Sequence, residues 1–215
     1  MTFFSRKRNA ATPDERPRIS SREVNSGLRA IVWPTLREQG FLDRTQRVAW
    51  KDFPDCVAVV DFWSFNSYTA GTMGVTTFSF QVNLGIRPLC SSRGLEHVKV
   101  KDGKLRPREP ECDLRRVLWK SISQPETEKP YVWFVREDGS NLREVVEDAC
   151  EVLLTTGMDW IDEFAHLARI LNFAENEPEE WDERGTTLIG TWGPGRLGSP
   201  ARADLIADIE AARRS

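Results

Sequence analysis

From Phe78 onward, apolar and polar residues alternate without a miss: Phe78, Phe80, Val82, Leu84 and Ile86 on one side, Ser79, Gln81, Asn83 and Gly85 on the other. Side chains of a β-strand point to opposite faces with period two, so residues 75–86 are predicted to form a strand with one face in a core. Residues 56–65 are apolar on both sides, with Cys56, Ala58, Val60 and Phe62 opposed to Val57, Val59, Trp63 and Phe65. That pattern predicts a central strand covered from both faces. Residues 47–53 alternate through Val48 and Trp50 and reach it through Pro54 and Asp55, and a polar loop at residues 66–74 leads on to the next strand. Connections this short predict an antiparallel meander.

Helical spacing appears on either side of these strands. Ser20-Ser-Arg-Glu23 is a capping-box pattern, followed by Val24, Leu28, Ile31, Val32 and Leu36 at helical intervals, and Gly40-Phe41 predicts a Schellman ending. Pro34 interrupts this helix and predicts a kink or a division into two pieces, because it removes one backbone hydrogen bond and clashes with the carbonyl of Ala30. Residues 112–119 are read as a short helix from the spacing of Leu114, Val117 and Leu118, and residues 131–135 as a further strand. One helix is predicted from Asn141 to just before Gly157 and a second over residues 159–174. Asp102-Gly103 supplies a type I′ turn for a small hairpin that spans residues 97–106. At the C-terminus, an apolar segment at residues 186–192 and a helix opened by Ser199-Pro200 either form an appended unit or fold back on the sheet.

The whole reads as one α+β domain over residues 20–174. Its antiparallel β-sheet of about four or five strands is packed by an N-terminal helix and a C-terminal helix pair. Residues 1–19 form a flexible basic arm, and residues 175–215 an acidic linker and C-terminal extension with a short helix. The 215 residues carry a net charge of −3, which sets aside a whole-surface attraction to nucleic acid. The first residues lack the apolar core of a signal peptide, and no stretch approaches the roughly 18 apolar residues of a membrane helix, so a cytoplasmic protein with no membrane partner is expected.

Candidate chemistry is sparse. Gly193-Pro-Gly-Arg-Leu-Gly198 matches a phosphate-binding glycine pattern, but no second strand or acidic residue follows at the required distance. Cys112 lies beside Asp113, Arg115 and Arg116, and the arginines could lower its pKa, but a buried structural cysteine is the favoured reading. Cys90, His97 and Cys112 have no recognised metal spacing. The carboxylates Asp159, Asp162 and Glu163 suit the first turn of a helix. No catalytic residue, metal or cofactor is expected. Two surfaces are candidates for a protein partner: the basic hairpin with Lys99, Lys101 and Lys104, and the acidic run around Trp181. The polar side of the organising strand, Thr77, Ser79, Gln81 and Asn83, carries no charge. Beside a strand covered on both faces, it becomes a candidate ligand site lined by Asp61, Trp63, Gln81 and Asn83, with Arg115 near them.

Leu36-Arg-Glu-Gln-Gly-Phe41, Trp50, Val59-Val-Asp-Phe62, Phe80-Gln-Val-Asn-Leu-Gly-Ile86 and Glu111-Cys-Asp-Leu-Arg115 together resemble the domain-of-unknown-function family numbered 4304. The resemblance covers residues 24–164. Where that family has Gln after the Phe of the central strand and His after the Cys, this chain has Trp63 and Asp113. The resemblance implies a bacterial α+β protein without an established activity. The expected function, read from the basic hairpin and the acidic run, is a binding or protein-interaction module. The alternative is a small enzyme or small-molecule-binding protein with its site on the polar face of the sheet, Asp61 and Arg115 being its candidates.

Overall fold

A computed structural model describes residues 18–176, 186–190, 193–194 and 200–214. Helix α1 (Ser21–Glu38) begins where the capping pattern requires. The Glu23 carboxylate accepts from the Ser20 amide at 2.7 Å and the Ser20 hydroxyl at 3.0 Å, satisfying a donor that the helix itself leaves free. It ends at Gly40, whose φ of 90° lets Phe41 N–H donate to Leu36 O and Gly40 N–H to Arg37 O, the Schellman pair. Pro34 does not divide it: α1 is one element, and the Thr35 hydroxyl donates to the Ile31 carbonyl at 3.1 Å in the turn beside the proline.

Strands β1 (Asp43–Arg44), β2 (Val48–Asp52) and β3 (Cys56–Ser64) follow. Residues 66–74 were expected as a loop and instead hold helix α2 (Ser67–Met73). Asn66 Oδ1 accepts from Thr69 N–H at 2.8 Å at its start, and Gly74, at a φ of 68°, closes it. Strand β4 (Phe80–Pro88) is shorter than the expected span, because residues 75–79 turn away to meet residues 131–135. There Thr76 Oγ1 donates to Val135 O at 2.6 Å, and Ser79 Oγ accepts from Val135 N–H at 3.1 Å. Thr77 and Ser79 therefore lie outside the polar row of the strand.

A small hairpin of β5 (Val100–Lys101) and β6 (Lys104–Leu105) turns at Asp102 and Gly103, both at positive φ. It is shorter than expected, His97 falling in a 3₁₀ turn before it. The segment read as a short helix is strand β7 (Leu114–Val117), antiparallel to β4. Residues 131–135 contribute only a single bridge, Phe80 to Trp133, rather than a strand. Helix α3 (Leu142–Val152) runs on through a π-helical turn, Leu153–Gly157, into α4 (Met158–Phe164). The break expected at Gly157 therefore falls later, before α5 (Leu167–Asn176). Strands β8 (Thr186–Gly190) and β9 (Gly193–Pro194) precede helix α6 (Pro200–Arg214).

The sheet runs β1-β2-β3-β4-β7-β8-β9 with every pairing antiparallel. Five of these strands are longer than two residues, in keeping with the α+β fold read from the sequence. Of the two placements open to the C-terminal unit, the one observed is against the sheet: β8 pairs with β7, and Leu205 and Ile209 of α6 enter the main core. That core lies on one sheet face, where Cys56, Ala58, Val60 and Phe62 of β3 and Phe80, Val82, Leu84 and Ile86 of β4 meet α1, α3, α4 and α5.

Candidate functional site

The opposite face of the sheet is covered in two places. Near one end, Cys112 packs with Val48, Trp50, Val57 and Val59, and Leu105 rests against them. Gly85 makes this cover possible: a Cβ on it would come within 2.6 Å of Cys112 Sγ and 2.8 Å of Cys112 Cβ. Trp50 Nε1 donates to Pro107 O at 2.6 Å, and the buried Arg87 guanidinium donates to the carbonyls of Glu111, Ser91 and Arg93. These bonds fasten residues 89–113 down on the strands. Near the other end, Phe65, Ala70 and Val132 form a second small cluster, with Met73, Val75 and Tyr131 beside it.

The strip of sheet face between the two covers, the trough, is defined by strand register. Register puts Asp61 of β3 opposite Asn83 of β4, with Val48 of β2 and Val117 of β7 on either side. One row further on, Trp63 is opposite Gln81. The Leu118 amide donates to Val82 O, which continues the ladder past β7 and sets Trp119 opposite Gln81 on its other side by alternation. Two tryptophans thus flank one glutamine, about 10 Å apart across two strand spacings. Trp63 is 38% exposed and Trp119 49% exposed, while Asp61 and Asn83 behind them are 4% and 7% exposed. Aromatic rings reach solvent at the rim, and the carboxyl and amide form the floor.

The floor is electrostatically unsettled. Among the described residues, no hydrogen bond or ion pair reaches the Asp61 carboxyl group, and Asn83 Oδ1 is buried without a partner. Burial pushes the Asp61 carboxyl up to about 6; Arg108 and Arg47 oppose the shift and Glu109 adds to it. Arg47 has a buried Nη1 without a partner, and burial lowers its pKa to about 10 against the pull of Asp61. Buried polar groups are nearly always bonded. Donors and acceptors both stand open here, and a group that offers both would satisfy them.

The other sequence candidates fall elsewhere. Arg115 lies on β7 opposite Gly85, but its guanidinium is occupied by the buried Glu109 carboxylate, with Nη2 to Oε2 at 2.8 Å. Lys101 pairs with Asp43 and Lys104 with Asp52, each at 2.8 Å, so these two lysines are engaged within the fold, and of the three hairpin lysines Lys99 alone has no side-chain partner among the described residues. Trp181, the acidic run beyond Asn176 and all of the glycine pattern but Gly193 and Pro194 lie outside the described residues. The Cys112 thiol is not activated: burial raises it well above the usual thiol range, and Glu109 and Asp113 add to this against Arg87 and Arg115. Asp113 is itself raised by burial and pairs with Arg93 at 3.3 Å. Glu163 receives the Arg169 guanidinium, and Asp162 faces Lys51 at 3.8 Å. No cluster of three or more His, Cys, Asp or Glu side chains able to hold a metal ion occurs among the described residues.

No family model, curated protein or solved structure matches the chain. The site therefore has to be read from its own geometry. Sequence alternation found Asp61, Trp63, Gln81 and Asn83, and it missed Arg47, Arg108 and Trp119. Trp119 carried a signal, since it continues the alternation of Arg115 and Val117, but reading that segment as a helix concealed it. Arg47 opens the predicted segment 47–53 but nothing in the pattern ties it to Asp61, and Arg108 lies outside the strand pattern. No helix among the described residues is long and apolar enough to cross a membrane.

Proposed function

We propose that this protein binds a neutral, hydrogen-bonding small molecule in the trough over Asp61 and Asn83. The observation that carries the reading is Asn83 Oδ1, a buried acceptor that no protein donor satisfies, beside the Asp61 carboxyl, which no hydrogen bond reaches among the described residues. Leaving a buried polar group unpaired costs about 1–3 kcal/mol, a cost that a bound donor removes. Arginines 47 and 108 oppose a cationic ligand, and Asp61 with Glu109 opposes an anionic one. A molecule bearing hydroxyl or amide groups meets both requirements, and the indoles of Trp63 and Trp119 offer a ring or an apolar edge a surface to rest on. This is the small-molecule form of the site expected from the sequence. The protein-partner form draws less support, because the hairpin lysines Lys101 and Lys104 already have acidic partners. A cytoplasmic setting and membership of family 4304 belong to the same proposal. The first is supported by four unpaired cysteines, the second by matching residues on the end of α1, β3, β4 and β7.

The test is a thermal-shift screen of neutral sugars, nucleosides and simple amides against the wild type and Asn83→Leu, which keeps the bulk and removes the acceptor. At least one class is expected to raise the wild-type Tm and leave that of the variant unchanged. Equal shifts in both proteins, or no shift with any class, would overturn the proposal.

A further inference from the structure

On the far side of the molecule from the trough, the C-terminal half of α1 and the chain that leads into β1 enclose a cleft of about 720 Å³. It is lined by Arg29, Arg37 and Arg44, by Trp33, Pro34, Phe41 and Leu42, and by Glu38. Its construction follows from local sequence. Positions 29, 33 and 37 recur every four residues and so share one face of the helix, and the Schellman turn at Gly40 folds Phe41 and Leu42 back beneath that face. Arg44 lies on the edge strand with its guanidinium over the Trp33 ring, 5.5 Å from the centroid.

Two observations point to an anion and a third to an apolar body that carries it. The Arg29 and Arg37 side chains make no hydrogen bond or ion pair among the described residues, and the Arg44 guanidinium reaches only the neighbouring Thr45 carbonyl, at 3.4 Å. The single carboxylate of the lining, Glu38, pairs with none of them, whereas the nearby acids Asp43 and Asp52 are taken by Lys101, Lys104 and Arg106. Leu42 is 80% exposed at the mouth of the cleft, an apolar side chain left in water beside three cations. The volume lies within the range of small-molecule sites, about 300–1,000 Å³. Guanidinium groups present paired N–H donors that match phosphate oxygens, and one stacked on an indole is held in position for that contact.

We infer that this cleft binds a phosphate group, with Arg29, Arg37 and Arg44 as its ligands and Pro34, Phe41 and Leu42 as the seat for the body that carries it. The site is separate from the trough and does not depend on it. Isothermal titration calorimetry tests it with three probes: inorganic pyrophosphate, a sugar phosphate and a phosphoserine peptide. Saturable binding is expected, with affinity reduced at least tenfold by Arg37→Ala and by Arg44→Ala. Arg143→Ala, which removes an exposed arginine of α3 that pairs with Glu147, should leave it unchanged, and so should Asn83→Leu in the trough. The tightest of the three probes identifies the source of the phosphate. Absence of saturable binding for all three, or an equal loss from Arg143→Ala, would overturn the inference. Circular dichroism of each variant checks that α1 is intact.

Discussion

Asp61 is the residue at which stability and binding pull in opposite directions. In the folded chain burial raises its carboxyl to about 6, against an ordinary value of 3.8. Between these two values the folded state holds a proton that the unfolded state has lost, so stability falls as pH rises from about 4 to about 6 and is level beyond. At 1.36 kcal/mol per unit the charged group costs about 3 kcal/mol at neutral pH. Asp61→Asn is therefore expected to stabilise the free protein by about 1–3 kcal/mol at pH 7 and to have little effect at pH 4. Urea denaturation of both proteins at the two pH values measures this, and a variant no more stable at pH 7 than at pH 4 would contradict the account. Sequence alternation placed Asp61 and Asn83 on one face, since period two is a property of the strand itself. It could not show that they lack partners, because partnership depends on how residues 89–113 fold over the sheet. Gly85 illustrates the same limit: it interrupts no alternation, and its role emerges only with Cys112 seated on top of it.

At the scale of elements, the hairpin of β5 and β6 is held down by a charge clamp. Arg106, nearly fully buried, donates through Nε to Asp43 at 2.8 Å and through Nη1 to Asp52 at 2.7 Å, while Lys101 and Lys104 reach the same two acids. Hydrogen bonds from Lys101 and Arg106 hold the Asp43 carboxyl below its usual value. Burial raises Asp52, but its bonds to Arg106 and Lys104 outweigh that and bring it below as well. Groups lowered on folding stabilise above their unfolded pKa, and that contribution is lost as pH falls through the folded value. Arg106→Ala leaves two neighbouring carboxylates without their bridge and is expected to cost about 3 kcal/mol at pH 7, at the low end for breaking a buried pair. The cost should shrink below pH 4. A loss of under 1 kcal/mol in denaturant titrations, or one independent of pH, would show that the clamp does not hold the hairpin. The sequence displayed these lysines as a free surface because their acidic partners, Asp43 and Asp52, lie some fifty residues earlier. Strand β7 was hidden for a related reason. Its core-facing row is Leu114, Arg116 and Leu118, and the buried Arg116 breaks the apolar alternation, leaving Leu114, Val117 and Leu118 to imitate a helix. Residues 131–135 show the reverse case. Their composition suits a strand, yet two of their amides donate to side chains, Phe134 to Gln124 and Val135 to Ser79, so the ladder never extends.

For the molecule as a whole, the sheet works as a partition. One face builds the core with the helices, and the other carries two covers that stop short of each other, leaving the trough between them. The fold class was legible because it follows from periodicity alone. The trough was only half legible, since its floor is strand alternation while its walls are long-range closures by α2 and residues 89–113. The central claim is that this gap is a ligand site, and the most direct measurement is a ¹⁵N-edited NMR fragment screen that follows the Trp63 and Trp119 indole N–H and the Asn83 side-chain amide resonances. The account predicts that neutral hydroxyl- or amide-bearing fragments shift these three together, and that Asn83→Leu abolishes the response of the two indoles. Fragments that leave all three unmoved, or that shift the indoles equally in the variant, would contradict it.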